Sequence, residues 1–166
     1  MTNTILFSEN QRFKQWWLWL LLIGVNGIFI YGLIRQVIMG IPFGNQPMSN
    51  TTLIISGLIQ FLLTVLFWSF KLQTIVKSDG IYVRLFPLQT KLQFFPWDVI
   101  ASAEIRTYSP LREYGGWGMR GALKNRALNV SGVIGLQLVL NNGNRLLIGT
   151  QQSEALEKAI DPFITQ

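Results

Sequence analysis

The chain has 166 residues, of which 49% are hydrophobic and 13% are charged, and its formal net charge is +6. Because soluble globular domains are about 25% charged, this composition excludes an ordinary soluble domain as well as a disordered chain. The sequence contains no Cys and no His, so disulfides, thiol nucleophiles and imidazole ligands are excluded. We therefore expect a protein that is not an enzyme, with no catalytic residues, metal or cofactor. Basic charge is typical of the flanks of membrane spans, and we expect no nucleic-acid partner.

Two uncharged apolar segments predict membrane-spanning helices at about residues 16–34 and 53–70. At 1.5 Å per residue the first covers about 28 Å, close to the roughly 30 Å hydrocarbon core of a bilayer. Neither segment alternates with polar residues, which excludes a half-buried strand. Residues 1–71 are therefore predicted to be an N-terminal segment followed by a transmembrane helical hairpin, integral to the lipid bilayer.

Positive charges set the expected orientation of this hairpin. Arg12 and Lys14 precede the first span, Lys71 and Lys77 follow the second, and Arg35 alone borders the loop between them. Because Lys and Arg are enriched in cytoplasmic segments near span ends, both termini are expected to lie in the cytoplasm.

Two amide side chains, Asn26 and Gln60, lie near the middle of the two predicted spans. An antiparallel hairpin would bring them to a similar depth, where an interhelical hydrogen bond satisfies amides that lipid cannot. The alternative interpretations are a polar site in a transport pathway and a contact between the subunits of a homo-oligomer.

After the spans, the pattern changes to short alternating runs separated by turn residues, which predicts a mainly β domain at residues 72–166 that folds on its own. Hairpin turns are predicted at residues 78–80 and 141–144. Trp97 lies in a Pro-Trp-Asp corner and is expected to be buried in the core. The amphipathic pattern of residues 153–164 predicts a helix that covers one open end of a curved antiparallel sheet.

Four segments carry a resemblance to a known class of proteins: DGIYV at 79–83, FPWDVI at 95–100, EYGGWGMR at 113–120 and NGNRLLIG at 142–149. With the two spans before them, they resemble small, uncharacterised bacterial membrane proteins that carry a C-terminal pleckstrin-homology-like domain. The resemblance implies a curved sheet or partly open barrel with one C-terminal helix, located at the bacterial inner membrane. In phosphoinositide-binding relatives the first hairpin loop is basic, whereas here it is short and acidic.

Residues 108–132 are rich in glycine and in basic residues and are the one segment that predicts a binding surface. Guanidinium groups beside aromatic rings bind phosphate or carboxylate groups. The alternative is a glycine-bent hairpin with a core tryptophan and solvated cations, offset only by Glu113. In a strand without a bulge, Arg120, Lys124 and Arg126 would share one face. The candidate surface for an anion or a partner consists of Arg112, Trp117, Arg120, Lys124 and Arg126.

Three functions remain open at this point. The first is a membrane-anchored binding or scaffold module that recruits a protein partner or self-assembles. The second is a reader of anionic lipid surfaces that uses the basic segment. The third is a small accessory subunit of a transport system, in which Asn26 and Gln60 would matter.

Overall fold

A computed structural model describes residues 4–122 and 124–164. It divides the chain into two compact units, Lys14–Ser69 and a second unit made of Met1–Phe13 together with Phe70–Gln166. We call the first the helical hairpin and the second the β domain. Residues 1–71 were predicted to form one N-terminal region, whereas in the structure the segment before Lys14 belongs with the C-terminal region. Along the chain, the helical hairpin therefore lies between the two sequence segments that make up the β domain.

The first sheet of the β domain explains this division. It is four-stranded and antiparallel, in the order β1-β2-β3-β4. Its strands are β1 (Ile5–Arg12), β2 (Lys71–Lys77), β3 (Gly80–Phe86) and β4 (Gln93–Pro96). Strand β1 was not predicted because two of its three inward side chains are polar: Phe7 alternates with buried Glu9 and Gln11. The apolar alternation that indicates a strand is therefore missing.

Glu9 and Gln11 have buried partners near the start of the last helix. The Glu9 carboxylate accepts hydrogen bonds from the Thr150 hydroxyl at 2.8 Å and the Gln151 backbone N–H at 2.9 Å. The Gln11 amide donates to the carbonyl oxygen of Gly149 at 2.6 Å. These bonds offset the cost of burying polar side chains and fasten β1 to the far end of the sequence.

The second sheet has five strands in the order β5-β8-β9-β7-β6. Strands β7 and β9 are parallel, and the other neighbours are antiparallel. The strands are β5 (Ile100–Thr107), β6 (Gly118–Ala122), β7 (Asn125–Asn129), β8 (Ile134–Leu140) and β9 (Arg145–Gly149).

One apolar core joins both sheets to the C-terminal helix, which spans Ser153–Ile164 and buries Leu156, Ala159 and Ile160. The expectation that Trp97 is buried in the core is wrong, because its ring is only half-buried and packs at the margin of this core. It stacks on Phe163 with 4.4 Å between ring centroids, and its indole N–H donates to the Lys77 carbonyl oxygen at 3.2 Å. Trp97 therefore seals the core against the last turn of the helix.

The helical hairpin contains helix α1 (Trp16–Leu33), which continues as a π-helical turn over Ile34–Ile38, and helix α2 (Asn50–Ser69). Both helices are long and apolar enough to cross a membrane. Most of their large apolar side chains are exposed in the protein. The β domain adds a short helix α3 (Pro110–Tyr114), and the C-terminal helix is α4.

Candidate functional site

The basic segment folds as α3, a glycine turn and the β6–β7 hairpin. Gly115 ends α3 in the left-handed conformation with φ 70°, as glycine commonly does at a helix C-terminus. Gly121 has φ +84°, and a Cβ there would lie 2.1 Å from the carbonyl oxygen of Asn125. Glycine is therefore required where the two strands of the hairpin approach each other.

The five candidate residues do not form one patch. Arg120 pairs with Ala127 across the hairpin, and Arg126 pairs with Gly121. Because residues directly opposite each other share a face, Arg120 and Arg126 point to opposite faces of the hairpin. The prediction that they share a face is wrong. It assumed one continuous strand, whereas Arg120 and Arg126 lie on the two different strands of a hairpin, in a register that places them on opposite faces.

Exposure separates the same residues further. Arg112, Arg120 and Lys124 are exposed, whereas Arg126 and Trp117 are half-buried. The Nε atom of Arg120 donates to the carbonyl oxygen of Trp117 at 3.0 Å, so this cation is held against its own hairpin. The indole nitrogen of Trp117 is buried and has no hydrogen-bond partner among the described residues.

Glu113 does not offset these cations, because it is paired with Arg106. Nη2 of Arg106 lies 2.8 Å from Oε2 of Glu113, and Oε1 accepts the backbone N–H of Ser109 at 2.7 Å. The hydrogen bond from Arg106 is the main reason that the pKa of Glu113 is lowered, and the same bond raises the pKa of Arg106. Sequence reasoning missed this pair because Arg106 lies on β5, outside the basic segment.

A buried polar cluster holds the β6–β7 hairpin in place. The Asn129 amide donates to the Tyr108 hydroxyl at 3.0 Å and accepts the backbone N–H of Gly118 at 2.9 Å. Desolvation raises the pKa of Tyr108, against the lowering effect of this hydrogen bond. These residues support the segment from within and do not face solvent.

Arg126 instead lines an open cleft of about 590 Å³ together with Arg145. The cleft lies beside β4, where β7 and β9 run parallel and Arg126 pairs with Leu146. Nothing in the sequence singles out Arg145, since it follows a predicted turn and has no basic neighbour in sequence. The lining residues are Gln93, Phe94, Phe95, Arg126, Leu140, Asn144, Arg145 and Leu146.

In the helical hairpin, the predicted hydrogen bond between Asn26 and Gln60 is wrong. Nδ2 of Asn26 donates to Oγ1 of Thr64 at 2.7 Å, and Thr64 donates to the carbonyl oxygen of Gln60 at 3.0 Å. Thr64 lies one helical turn beyond Gln60 on the same face, and this turn is level with Asn26. The Gln60 side chain has no hydrogen-bond partner in the described part of the chain.

The described residues contain no group of three or more carboxylate, His or Cys side chains that could hold a metal ion. The model of a family described as a family of unknown function (DUF6141) matches residues 2–165. No curated protein and no solved structure matches the chain.

Proposed function

The chain belongs to the DUF6141 family, and we propose that it is a non-catalytic, membrane-anchored binding or scaffold module. In this proposal the helical hairpin crosses the bacterial inner membrane twice. The β domain is pleckstrin-homology-like and lies at the cytoplasmic face, where it recruits a protein partner or self-assembles.

The pairing of β1 with β2 is the observation that carries the proposal. These strands lie on either side of the helical hairpin in sequence, yet they pair from Ile5 with Lys77 to Arg12 with Lys71. Strands of one sheet lie on the same side of a membrane, so the two helices must leave and return together. The β domain is thereby tied to the membrane by two adjacent chain segments, as suits a module that presents a surface there.

The positive charges that flank the helical hairpin support a cytoplasmic location for the β domain. Arg12, Lys14, Lys71 and Lys77 flank the helical hairpin in sequence on the β-domain side, and Arg35 is the one charged residue at the loop end. This asymmetry follows the distribution of Lys and Arg in membrane proteins.

The architecture supports the pleckstrin-homology-like assignment. Two sheets and one C-terminal helix enclose the larger of the two apolar clusters formed by the domain's described residues, and the first sheet is a four-stranded antiparallel meander. Two features go beyond the resemblance: the helical hairpin is inserted between β1 and β2, and the β6–β7 hairpin adds to the second sheet through a parallel pair.

The exposed cations Arg112, Arg120 and Lys124 support recruitment of an acidic partner. Glu113, the one acid near them in sequence, is already bound to Arg106. Surface cations of this kind guide association and add specificity. A reader of anionic lipids would use the same cations, and salt-sensitive binding to anionic vesicles without any protein crosslink would favour that alternative.

Topology and crosslinking together test the proposal. Reporter fusions at both termini and in the loop at residues 40–47 should place the termini in the cytoplasm and the loop outside. Crosslinking with mass spectrometry in native membranes should recover a partner, or a second copy, attached near α3 and the β6–β7 hairpin. Termini on opposite sides, or crosslinks confined to the helices, would contradict the proposal.

A second candidate is favoured by the Gln60 amide, which has no partner among the described residues. An amide without a partner in the middle of a span is costly in lipid, and a neighbouring membrane protein would satisfy it. In a transport accessory subunit, Gln60→Leu would abolish function while the protein still inserts.

A further inference from the structure

The cleft beside β4 is lined by donors and contains no acidic side chain among its described lining residues. Two arginines, Arg126 and Arg145, and two amides, Gln93 and Asn144, supply its polar groups. Each guanidinium carries five N–H donors in a planar fork, and each amide carries two more. With two positive charges and many hydrogen-bond donors, the cleft therefore favours binding of an anion.

Neither arginine of the cleft is engaged within the described part of the protein. Among the described residues, the side chains of Arg126 and Arg145 have no hydrogen bond and no ion pair. Two other arginines of the β domain differ: Arg84 donates to Gln73 at 2.9 Å, and Arg106 is bound to Glu113. The two cleft guanidinium groups thus keep their full capacity for an external acceptor.

The rest of the lining is apolar. Phe95 packs against the core, Leu146 is almost fully buried within it, and Leu140 lies beside them. An anion bound among these groups is partly removed from water, and a guanidinium–anion bond gains strength when water is excluded. Concave sites with apolar walls and a few convergent polar groups are typical of ligand sites.

We propose that this cleft binds a phosphate group, held by Arg126 and Arg145. A phosphate monoester offers three terminal acceptor oxygens, which match two guanidinium forks and two amides better than the two oxygens of a carboxylate do. The site is separate from the exposed cations proposed to meet a protein partner, so either proposal stands without the other. The phosphate has two possible sources, a phospholipid headgroup or a soluble phosphate ester.

The test uses the full-length protein in an uncharged detergent and isothermal titration calorimetry. The probes are glycerol 3-phosphate, dihexanoyl phosphatidic acid and, as a carboxylate probe, a glutamate-rich peptide. The variant of the cleft is Arg126→Gln/Arg145→Gln. The matched control is Lys91→Gln/Lys158→Gln, which removes two exposed charges outside the cleft.

We expect phosphate binding by the wild type and by the control. In the cleft variant, binding should be weakened at least about tenfold, because the charge-assisted hydrogen bonds of both guanidinium groups are lost. A second variant, Arg126→Lys/Arg145→Lys, distinguishes a loss of binding from misfolding. It keeps both positive charges but removes the planar guanidinium groups. Its affinity should fall between those of the wild type and the Gln variant while its melting temperature stays unchanged.

The two phosphate probes distinguish the sources. Tighter binding of phosphatidic acid than of glycerol 3-phosphate identifies a lipid headgroup, and equal binding identifies a soluble ester. The proposal is overturned by an equal loss of binding in the cleft variant and the control, which would indicate general attraction of charge. Binding of the glutamate-rich peptide alone, or of no probe by the wild type, would overturn it too.

Discussion

The helical hairpin and the β domain use the same apolar residue types in opposite ways. In the helical hairpin, Leu20 is 66% exposed and Ile23 is 66% exposed, whereas in the β domain Leu136 and Ile148 are fully buried. Removing an apolar side chain from water is favourable, and in the β domain the core of the domain itself does this. In the helical hairpin the chain supplies no such core for these side chains among the described residues, which is typical of helices that face lipid.

The two regions differ equally in how they satisfy polar groups. Between the helices, Asn26 forms one hydrogen bond with Thr64. In the β domain, buried Glu9, Gln11 and Asn129 each bond groups that are distant in sequence. The fold of the β domain therefore depends on long-range partners, and we expect mutations there to have the larger effects.

The largest effect should come from removing β1. Deleting residues 1–12 removes Phe7 from the core and takes away the partners of Thr150 and of the edge of β2. Loss of a buried Phe alone costs about 3–5 kcal/mol, so the β domain should unfold or lose most of its stability. Thermal unfolding followed by circular dichroism measures this.

A second deletion sharpens that comparison. Replacing residues 14–69 with a short glycine-serine linker should yield a folded, soluble β domain, because the rings of Phe13 and Phe70 are only 5.6 Å apart. A fragment of residues 70–166 as stable as this linked domain would contradict the role assigned to β1.

Two tryptophans offer the next test. Trp97→Ala should destabilise the β domain by about 2–3 kcal/mol, because it removes a half-buried ring and its stacking on Phe163. Trp68→Ala in the helical hairpin should leave the unfolding of the β domain unchanged, since Trp68 is 64% exposed. Equal effects of the two substitutions in urea unfolding would remove the distinction between the regions.

The pair of Arg106 and Glu113 predicts a dependence on pH. The pKa of Glu113 is lowered in the folded protein from its ordinary value of 4.5. Its contribution to stability is therefore complete above pH 4.5 and is lost as the pH falls through the lower, folded pKa. The side chains are 28% and 38% exposed, so solvent screening keeps the effect below about 1 kcal/mol.

Urea unfolding between about pH 2 and pH 6, across the range in which carboxylates titrate, measures this dependence against a Glu113→Gln variant. The wild type should lose its excess stability over the variant as the pH falls. If the difference in stability between the wild type and Glu113→Gln stays constant across this range, the ion pair does not contribute to the pH dependence of stability.

In the helical hairpin, Asn26→Leu should cost about 0.6 kcal/mol, the average for an interhelical hydrogen bond in a membrane protein. Gln60→Leu is the matched control, because the described contacts of Gln60 involve its backbone carbonyl and not its amide. Unfolding in mixed micelles compares the two variants. A larger loss for Gln60→Leu would indicate that its amide is engaged by a second molecule.

The smallest effect on stability is expected at the exposed cations. Replacing Arg112, Arg120 and Lys124 together with Gln should change the free energy of unfolding by less than about 0.5 kcal/mol in total, because exposed charges contribute little to stability. Crosslinking to a partner in native membranes should nevertheless weaken, most clearly at low salt. Full retention of the crosslinks would assign recruitment to another surface.

The sequence by itself determined the features that depend on local pattern. Continuous apolar runs, short alternating runs and an amphipathic final segment predicted two long helices, most of the strands and α4, because periodicity reports which solvent or core each face meets. It also located the glycine-rich basic segment, since composition is visible without a fold.

Only the tertiary structure decided which distant residues meet. Strand β1 has a polar inner face whose partners lie about 140 residues away, so no local pattern marks it as part of the sheet. The same holds for Arg126 and Arg145, which lie 19 positions apart in sequence and share a cleft because β7 and β9 run parallel. The register of the β6–β7 hairpin places Arg120 and Arg126 on opposite faces. Asn26 bonds to Thr64, one helical turn beyond Gln60. Pairing between strands and helices is set by packing of the whole core, and a sequence pattern fixes only the faces that enter it.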